Sequence, residues 1–280
     1  MIFHRLIWAA LGTALLVGSV QTGVQHWQAA PLILAAEAFE EQKAEAPEVH
    51  DAVEAPAHAS MAMAHEHEQA HEHEHDAAAW EPQNGVERTT WTWVANVLHA
   101  FSMALLMFVV MGIWHLKRGS ALGSRALAGL VAAAGWLSFH LWPTLGLPAE
   151  VPGMQAASLH AHQLWWLLAV GSSCMACAVA GFARARWRWA VAAVLLAVPF
   201  VVGAPQLQGD ALAGYDATAH AALAQLADQF VWATTWVSLS FWVSMGLVAA
   251  PAFQRWLRPV LVDIAGGQST RLAGEMGASQ

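Results

Sequence analysis

The stretch Trp91-Thr92-Trp93-Val94-Ala95-Asn96-Val97-Leu98-His99-Ala100-Phe101-Ser102-Met103-Ala104-Leu105-Leu106-Met107-Phe108-Val109-Val110-Met111-Gly112-Ile113-Trp114 contains no Asp, Glu, Lys or Arg. As a helix it would measure about 36 Å, enough to cross the hydrocarbon of a bilayer. Aromatic residues at both ends suit the two membrane–water interfaces. This run therefore predicts a transmembrane helix, and the rest of the chain follows the same pattern. Hydrophobic residues make up 57% of the chain and charged residues 11%, far from the roughly one-quarter charged composition of soluble domains.

Further apolar runs occupy Leu6–Val24, Leu122–Trp142, Gln163–Phe182, Trp187–Val202 and Phe230–Ala250. The first could be a signal peptide with Arg5 as its charged flank. No small-x-small cleavage site follows it, however, and an uncleaved first helix is expected. Trp187–Val202 is short and contains Pro199. The expected fold class is thus an all-α integral membrane protein, a bundle of six (alternatively five) transmembrane helices. The expected organisation is a first helix and its extension over 1–36, an acidic His-rich extracytoplasmic loop over 37–90, the helix bundle over 91–252, and a cytoplasmic tail over 253–280. From Glu37 to Arg88 the chain turns to Ala, Glu, His and Pro, and with so little apolar surface to bury it is expected to be disordered without metal.

Orientation follows from the cations. Arg5, then Lys117, Arg118 and Arg125, then Arg184, Arg186 and Arg188, then Arg255 and Arg258 fall in alternate connections, and the intervening ones carry only Lys43 and Arg88. Six spans reproduce this alternation throughout. By the positive-inside rule both termini are cytoplasmic and the long loop faces outward, in a multi-pass protein of the cell (inner) membrane.

That loop contains His65-Glu66-His67-Glu68-Gln69-Ala70-His71-Glu72-His73-Glu74-His75-Asp76. Neutral imidazoles bind borderline divalent ions such as cobalt, nickel, zinc and copper, and carboxylates add oxygen ligands. The tract suits capture better than selectivity, so His65, His67, His71, His73 and His75 are candidate metal ligands. The bland alternative is a solvated acidic loop. The same tract matches H-E-x-x-H twice, but the zinc-protease chemistry needs a stable helix, a third ligand and a cleft. No enzyme is expected. Lys43 and Lys117, the only lysines, lie in no phosphate-binding loop, and the chain has no basic patch for nucleic acid.

On the spans, His99, Met103, Met107, Met111 and His115 recur every four residues along one side of a helix. Packing is the expected role of the methionines, with a soft-metal path as the alternative. Ionisable groups within spans usually mark function, which singles out the two terminal histidines of the stripe, His99 and His115. Cys174 and Cys177 are spaced for a metal or redox pair, although close helix packing is the expected reading. His140, His160 and His162 lie towards the outward end, where they would form an entrance site or interfacial anchors.

Several segments taken together resemble the CbtA family of proposed cobalt transporter subunits. They are Pro31-Leu32-Ile33-Leu34-Ala35-Ala36-Glu37, the acidic His-rich loop, Gly85-Val86-Glu87-Arg88-Thr89, Leu145-Gly146-Leu147-Pro148-Ala149-Glu150-Val151-Pro152-Gly153, Gln163-Leu164-Trp165-Trp166 and Gly203-Ala204-Pro205. Two positions depart from the family pattern: His162 stands where a basic residue usually precedes Gln-x-Trp-Trp, and Phe200 where a histidine commonly follows Pro199. The resemblance implies an integral membrane protein working with a small single-span, His-rich partner (CbtB-like). The expected function is uptake of a divalent metal, cobalt first, with no tightly bound cofactor. A membrane-anchored metal buffer or sensor is the alternative.

Overall fold

The computed structural model describes residues 2–45, 82–119, 121–207, 209–264 and 266. Among these residues seven helices form the fold: α1 (Ile2–Gln28), α2 (Ala30–Glu45), α3 (Val86–Arg118), α4 (Ser124–Thr144), α5 (Leu159–Phe182), α6 (Arg188–Val202) and α7 (Ala217–Ile264). No strand occurs among the described residues. Five of the helices, α1, α3, α4, α5 and α7, are long and apolar enough to cross a membrane. The all-α membrane fold expected from the sequence is what the structure shows.

The sixth apolar run is the shorter helix α6, of 15 residues. It nevertheless brings the chain back. Trp165 Nε1, near the start of α5, donates to the Pro199 carbonyl near the end of α6 at 3.1 Å, so the two helices are antiparallel. The connections on either side of this pair then meet. Gln155 N donates to the Ala211 carbonyl at 2.7 Å, and the Tyr215 hydroxyl donates to the Gly153 carbonyl at 3.3 Å. The connections before α5 and after α6 therefore share one end of the bundle.

Two further expectations are revised. The chain does not become irregular at Glu37, because α2 continues to Glu45. It continues because Ala36 and Phe39 find a core of their own with Val151, Leu212, Tyr215 and Leu223, apolar partners that are distant in sequence. At the other end, α7 runs past Ala250 to Ile264 through a π-helical turn, Phe253–Leu257, whose Phe253 and Leu257 are buried in the bundle.

The main core joins α1, α3, α4 and α7, and much of it is alanine: Ala9, Ala10, Ala14, Ala100, Ala104, Ala128, Ala132 and Ala249. Small side chains let helix backbones approach closely where lipid supplies no hydrophobic drive. At Gly18 the backbones of α1 and α3 meet, since a Cβ there would lie 2.8 Å from Val97 Cα. One turn on, Asn96 Nδ2 donates to Thr22 Oγ1 at 2.9 Å and to Gln25 Oε1 at 2.6 Å, while Trp93 Nε1 donates to Ser19 Oγ at 2.9 Å. Arg118 and Arg188 lie at the opposite end and donate to the Ala183 carbonyl past the last turn of α5, a helix terminus that otherwise leaves acceptors open.

Gly18→Leu is expected to cost about 1–3 kcal/mol through overpacking against Val97. Thermal unfolding in detergent should show a lowered midpoint for that variant. Gly23→Ala, with nothing within 4 Å of the new Cβ, should melt as the parent does.

Candidate functional site

The antiparallel pairing of α1 with α3 sets what their facing side chains can do. Towards the N-terminus of α1 the facing residues are Ala10, Ala14 and Gly18, and the helices close up. Beyond Gly18 they are Gln21, Thr22, Gln25 and His26, which are long or polar. A cavity of about 790 Å³ opens there between α1, α2, α3 and α7. Its rim carries Asn84, Gly85 and Arg88, and its walls carry Gln21, Thr22, Gln25, His26, Thr89, Thr92 and Thr234. His99, Met103, Phe139, Phe241 and Trp242 lie at its deep end. Arg88 to Met103 along α3 corresponds to about 22 Å of depth.

Past Met103 the bundle is sealed. Met107, Phe108, Met111 and Met245 are each no more than 2% exposed and pack with Ala104, Ala249 and Phe253. The cavity, hereafter the vestibule, is therefore stopped below Met103 by methionine-rich packing, while His99, Trp166 and Leu34 of its lining stay exposed. Met107 and Met111 take the packing role expected of them. Met103, at the top of the same stripe, faces the vestibule instead.

The open end is the end poor in Lys and Arg. α1 leaves there, α3 and α7 begin there, and the two connections around α5 and α6 meet there. Arg5, Lys117, Arg118, Arg125, Arg184, Arg186, Arg188, Arg255 and Arg258 belong to the other end by the same chain tracing. At the mouth Arg88 makes a two-pronged pair with Glu37 of α2, Nη2 to Oε1 at 2.7 Å and Nη1 to Oε2 at 3.1 Å. This contact ties α2, whose Ala30, Ile33 and Leu34 also line the vestibule, to the start of α3.

The candidate residues read from the sequence separate into groups. His99 lines the vestibule with its ring stacked on Phe241, centroids 4.9 Å apart. His140 lies behind the wall, in the π-helical turn Leu137–Leu141 of α4, with Nε2 3.3 Å from Thr235 Oγ1. Pro143 follows that turn and offers no N–H to the Phe139 carbonyl, so the wider turn absorbs a broken helical bond. His160 and His162 occupy the first turn of α5, and His162 Nε2 lies 3.7 Å from Glu150 Oε1. His115 meets the edge of Phe253 near the far end of α3. Cys174 and Cys177 are free thiols on α5, and Cys177 Sγ is 3.9 Å from Ser138 Oγ. His65, His67, His71, His73 and His75 lie outside the described residues. Among the described residues no three His, Cys, Asp or Glu side chains converge on one metal position. His99, His140, His160 and His162 thus form no common cage.

The vestibule residues of α1 were not singled out from the sequence, although a signal for them exists. Gln21 with Gln25, and Thr22 with His26, repeat at four residues and place polar groups on one side of an otherwise apolar helix.

Near the mouth, Asp210 and His220 pair at 2.9 Å, and Asp210 Oδ1 also accepts from Leu212 N. The Leu212 amide, then His220, holds the Asp210 carboxyl below the usual carboxylate range. The contribution of this pair is present above the ordinary carboxylate pKa and is lost as pH falls through the lowered one.

A family model described as "Probable cobalt transporter subunit (CbtA)" matches residues 3–254. The chain belongs to the CbtA family. Comparison with curated proteins and with solved structures returned no match in either case. The CbtA match covers every residue that lines the vestibule, and it supports a multi-pass membrane protein that forms part of a transporter.

If α2 guards the mouth, breaking its tie to Arg88 should expose the interior. In a Cys174→Ser/Cys177→Ser background, a cysteine introduced as Thr92→Cys should react several-fold faster with a membrane-impermeant maleimide once Glu37→Ala is added. An unchanged rate would show that α2 does not restrict access.

Proposed function

We propose that this CbtA-family chain takes up a divalent metal ion, cobalt by preference, through the vestibule between α1, α3 and α7. The observation that carries this reading is a mostly apolar cavity that reaches mid-bundle from the cation-poor end and carries the imidazoles of His26 and His99 and the amides of Gln21 and Gln25. Polar side chains held at membrane depth are costly within lipid unless they serve a polar guest. The positive-inside rule assigns the cation-rich end to the cytoplasm, which puts both termini inside and the vestibule and His-rich loop outside an inner membrane.

In this reading the domains keep their sequence-derived roles: capture by the loop within 37–90, passage through the bundle, and a cytoplasmic tail. His65, His67, His71, His73 and His75 raise the ion concentration at the mouth. His162 lies about one turn before Trp166 of the vestibule wall and His160 nearly two turns before it, and they pass ions inward, while His140 supports that wall through Thr235. Each divalent ion moving inward gains about 4.6 kcal/mol per 100 mV of inside-negative potential, so uptake needs no catalytic step in this chain. The word "subunit" in the family description fits the expectation of a small His-rich, single-span partner.

Deleting Ala64–Asp76 should reduce cellular cobalt accumulation several-fold at scarce cobalt and leave it nearly unchanged at plentiful cobalt. Equal accumulation by both proteins at scarce cobalt would refute the capture role. Capture by the loop should also fall as pH drops from about 7.5 to 5.5, because imidazole must be neutral to coordinate and its ordinary pKa is near 6.5. Titrating the loop peptide with cobalt across that range checks it, and a constant affinity would contradict it. A chain that only buffers or senses metal would bind cobalt at the surface of sealed vesicles without loading their interior.

A further inference from the structure

The lining of the vestibule carries its own chemical signature. Its metal-binding donors are imidazole, amide oxygen, hydroxyl and thioether. Among the described residues no carboxylate lines it, and its one formal charge apart from histidine is Arg88 at the rim. One of its donors is also unused: Gln21 is 8% exposed, and its Oε1 is buried without a hydrogen-bond partner. A buried amide oxygen left so carries its full desolvation cost unless a guest supplies the missing contact.

The register of α1 against α3 locates that oxygen. Gly18 meets Val97, and the helices are antiparallel, so Gln21 lies level with the α3 residues near position 94. His99 is then about 7 Å deeper along the axis, and Met103 about 6 Å below His99. His26 is level with position 89 or so, about 15 Å shallower than His99. These donors descend as a ladder rather than closing a cage, which agrees with the absence of a three-ligand cluster among the described residues.

We propose that a late first-row divalent ion, keeping most of its water shell, stops within the membrane at the His99 imidazole, with Gln21 Oε1 on the shallower side and the Met103 thioether on the deeper side. The identity of the guest rests on the transport reading above; its position rests on the geometry of the vestibule. Oxygen, nitrogen and thioether donors together suit cobalt or nickel better than magnesium or calcium. Because all three donors are neutral, the ion keeps its double charge, is held weakly, and remains responsive to the membrane potential. Weak binding in successive steps is what passage requires, since an ion must be able to leave each stop. The phenyl face of Phe241 fixes the His99 ring, leaving the ring edge, with its nitrogens, to coordinate.

The test uses the full-length chain with its seven loop histidines (positions 50, 58, 65, 67, 71, 73 and 75) changed to glutamine. It is titrated with cobalt(II) chloride and read by visible and X-ray absorption. His99→Ala should remove one imidazole-ligated cobalt per chain and weaken that binding at least tenfold. Gln21→Glu should do the reverse, tightening binding at least tenfold while lowering the maximal rate of vesicle loading, because a carboxylate turns a stop into a trap. A misfolded variant cannot produce tighter binding. Cobalt affinity that ignores both substitutions while vesicles still load with cobalt overturns this stop and leaves the transport reading standing. Spectra that respond as expected in vesicles that never load support the stop and refute transport.

Discussion

The rest of the molecule depends on the contact of α1 with α3 at Gly18 and Val97. A glycine at that position lets two backbones meet, and the Asn96 amide, held by Thr22 and Gln25, pins the same crossing from the other side. Each such interhelical hydrogen bond is worth on average about 0.6 kcal/mol within a bilayer, so close packing rather than polarity supplies most of the stability. The polar contacts set register. With register set, one half of α1 presents alanines and closes the bundle, while the other half presents glutamine, threonine and histidine and holds it open.

That division explains why the molecule has a mouth and a plug. Below Met103, side chains of α3 and α7 fill the space between small residues of α1 and α4. Above it, side chains with polar ends wedge the helices apart, and α2 folds across the gap on a separate small core. The two cores are joined through α7, whose N-terminal turns belong to the outer one and whose later turns belong to the inner one. The π-helical turns of α4 and α7 are the points where helical bonding is already relaxed.

The spans were legible in the sequence because lipid imposes a length and a composition that few other environments require. The gathering of cations at one end was equally plain from Arg5 to Arg258. The vestibule was not, because it arises from pairing: Gln21 and His26 mean little until α1 is placed against α3 in a particular register. His99 stood out as an ionisable group in an apolar run, yet its relation to Phe241 depends on residues far apart in the chain. The helix over Ala30–Glu45 was missed beyond Glu37 for the same reason, since its apolar partners lie near Val151 and Leu212. His140, His160 and His162, grouped by their shared end of the bundle, are separated by the fold into a position behind the vestibule wall and the first turn of α5.

Uptake through the vestibule requires that metal cross this chain towards the cation-rich end. The most direct measurement places the purified full-length protein in sealed vesicles of known orientation, with a cobalt-quenched dye inside and a potassium diffusion potential imposed across the membrane. Passage through the bundle predicts quenching that accelerates as the compartment facing the cation-rich end is made more negative. Quenching no faster than in protein-free vesicles at any potential would contradict it.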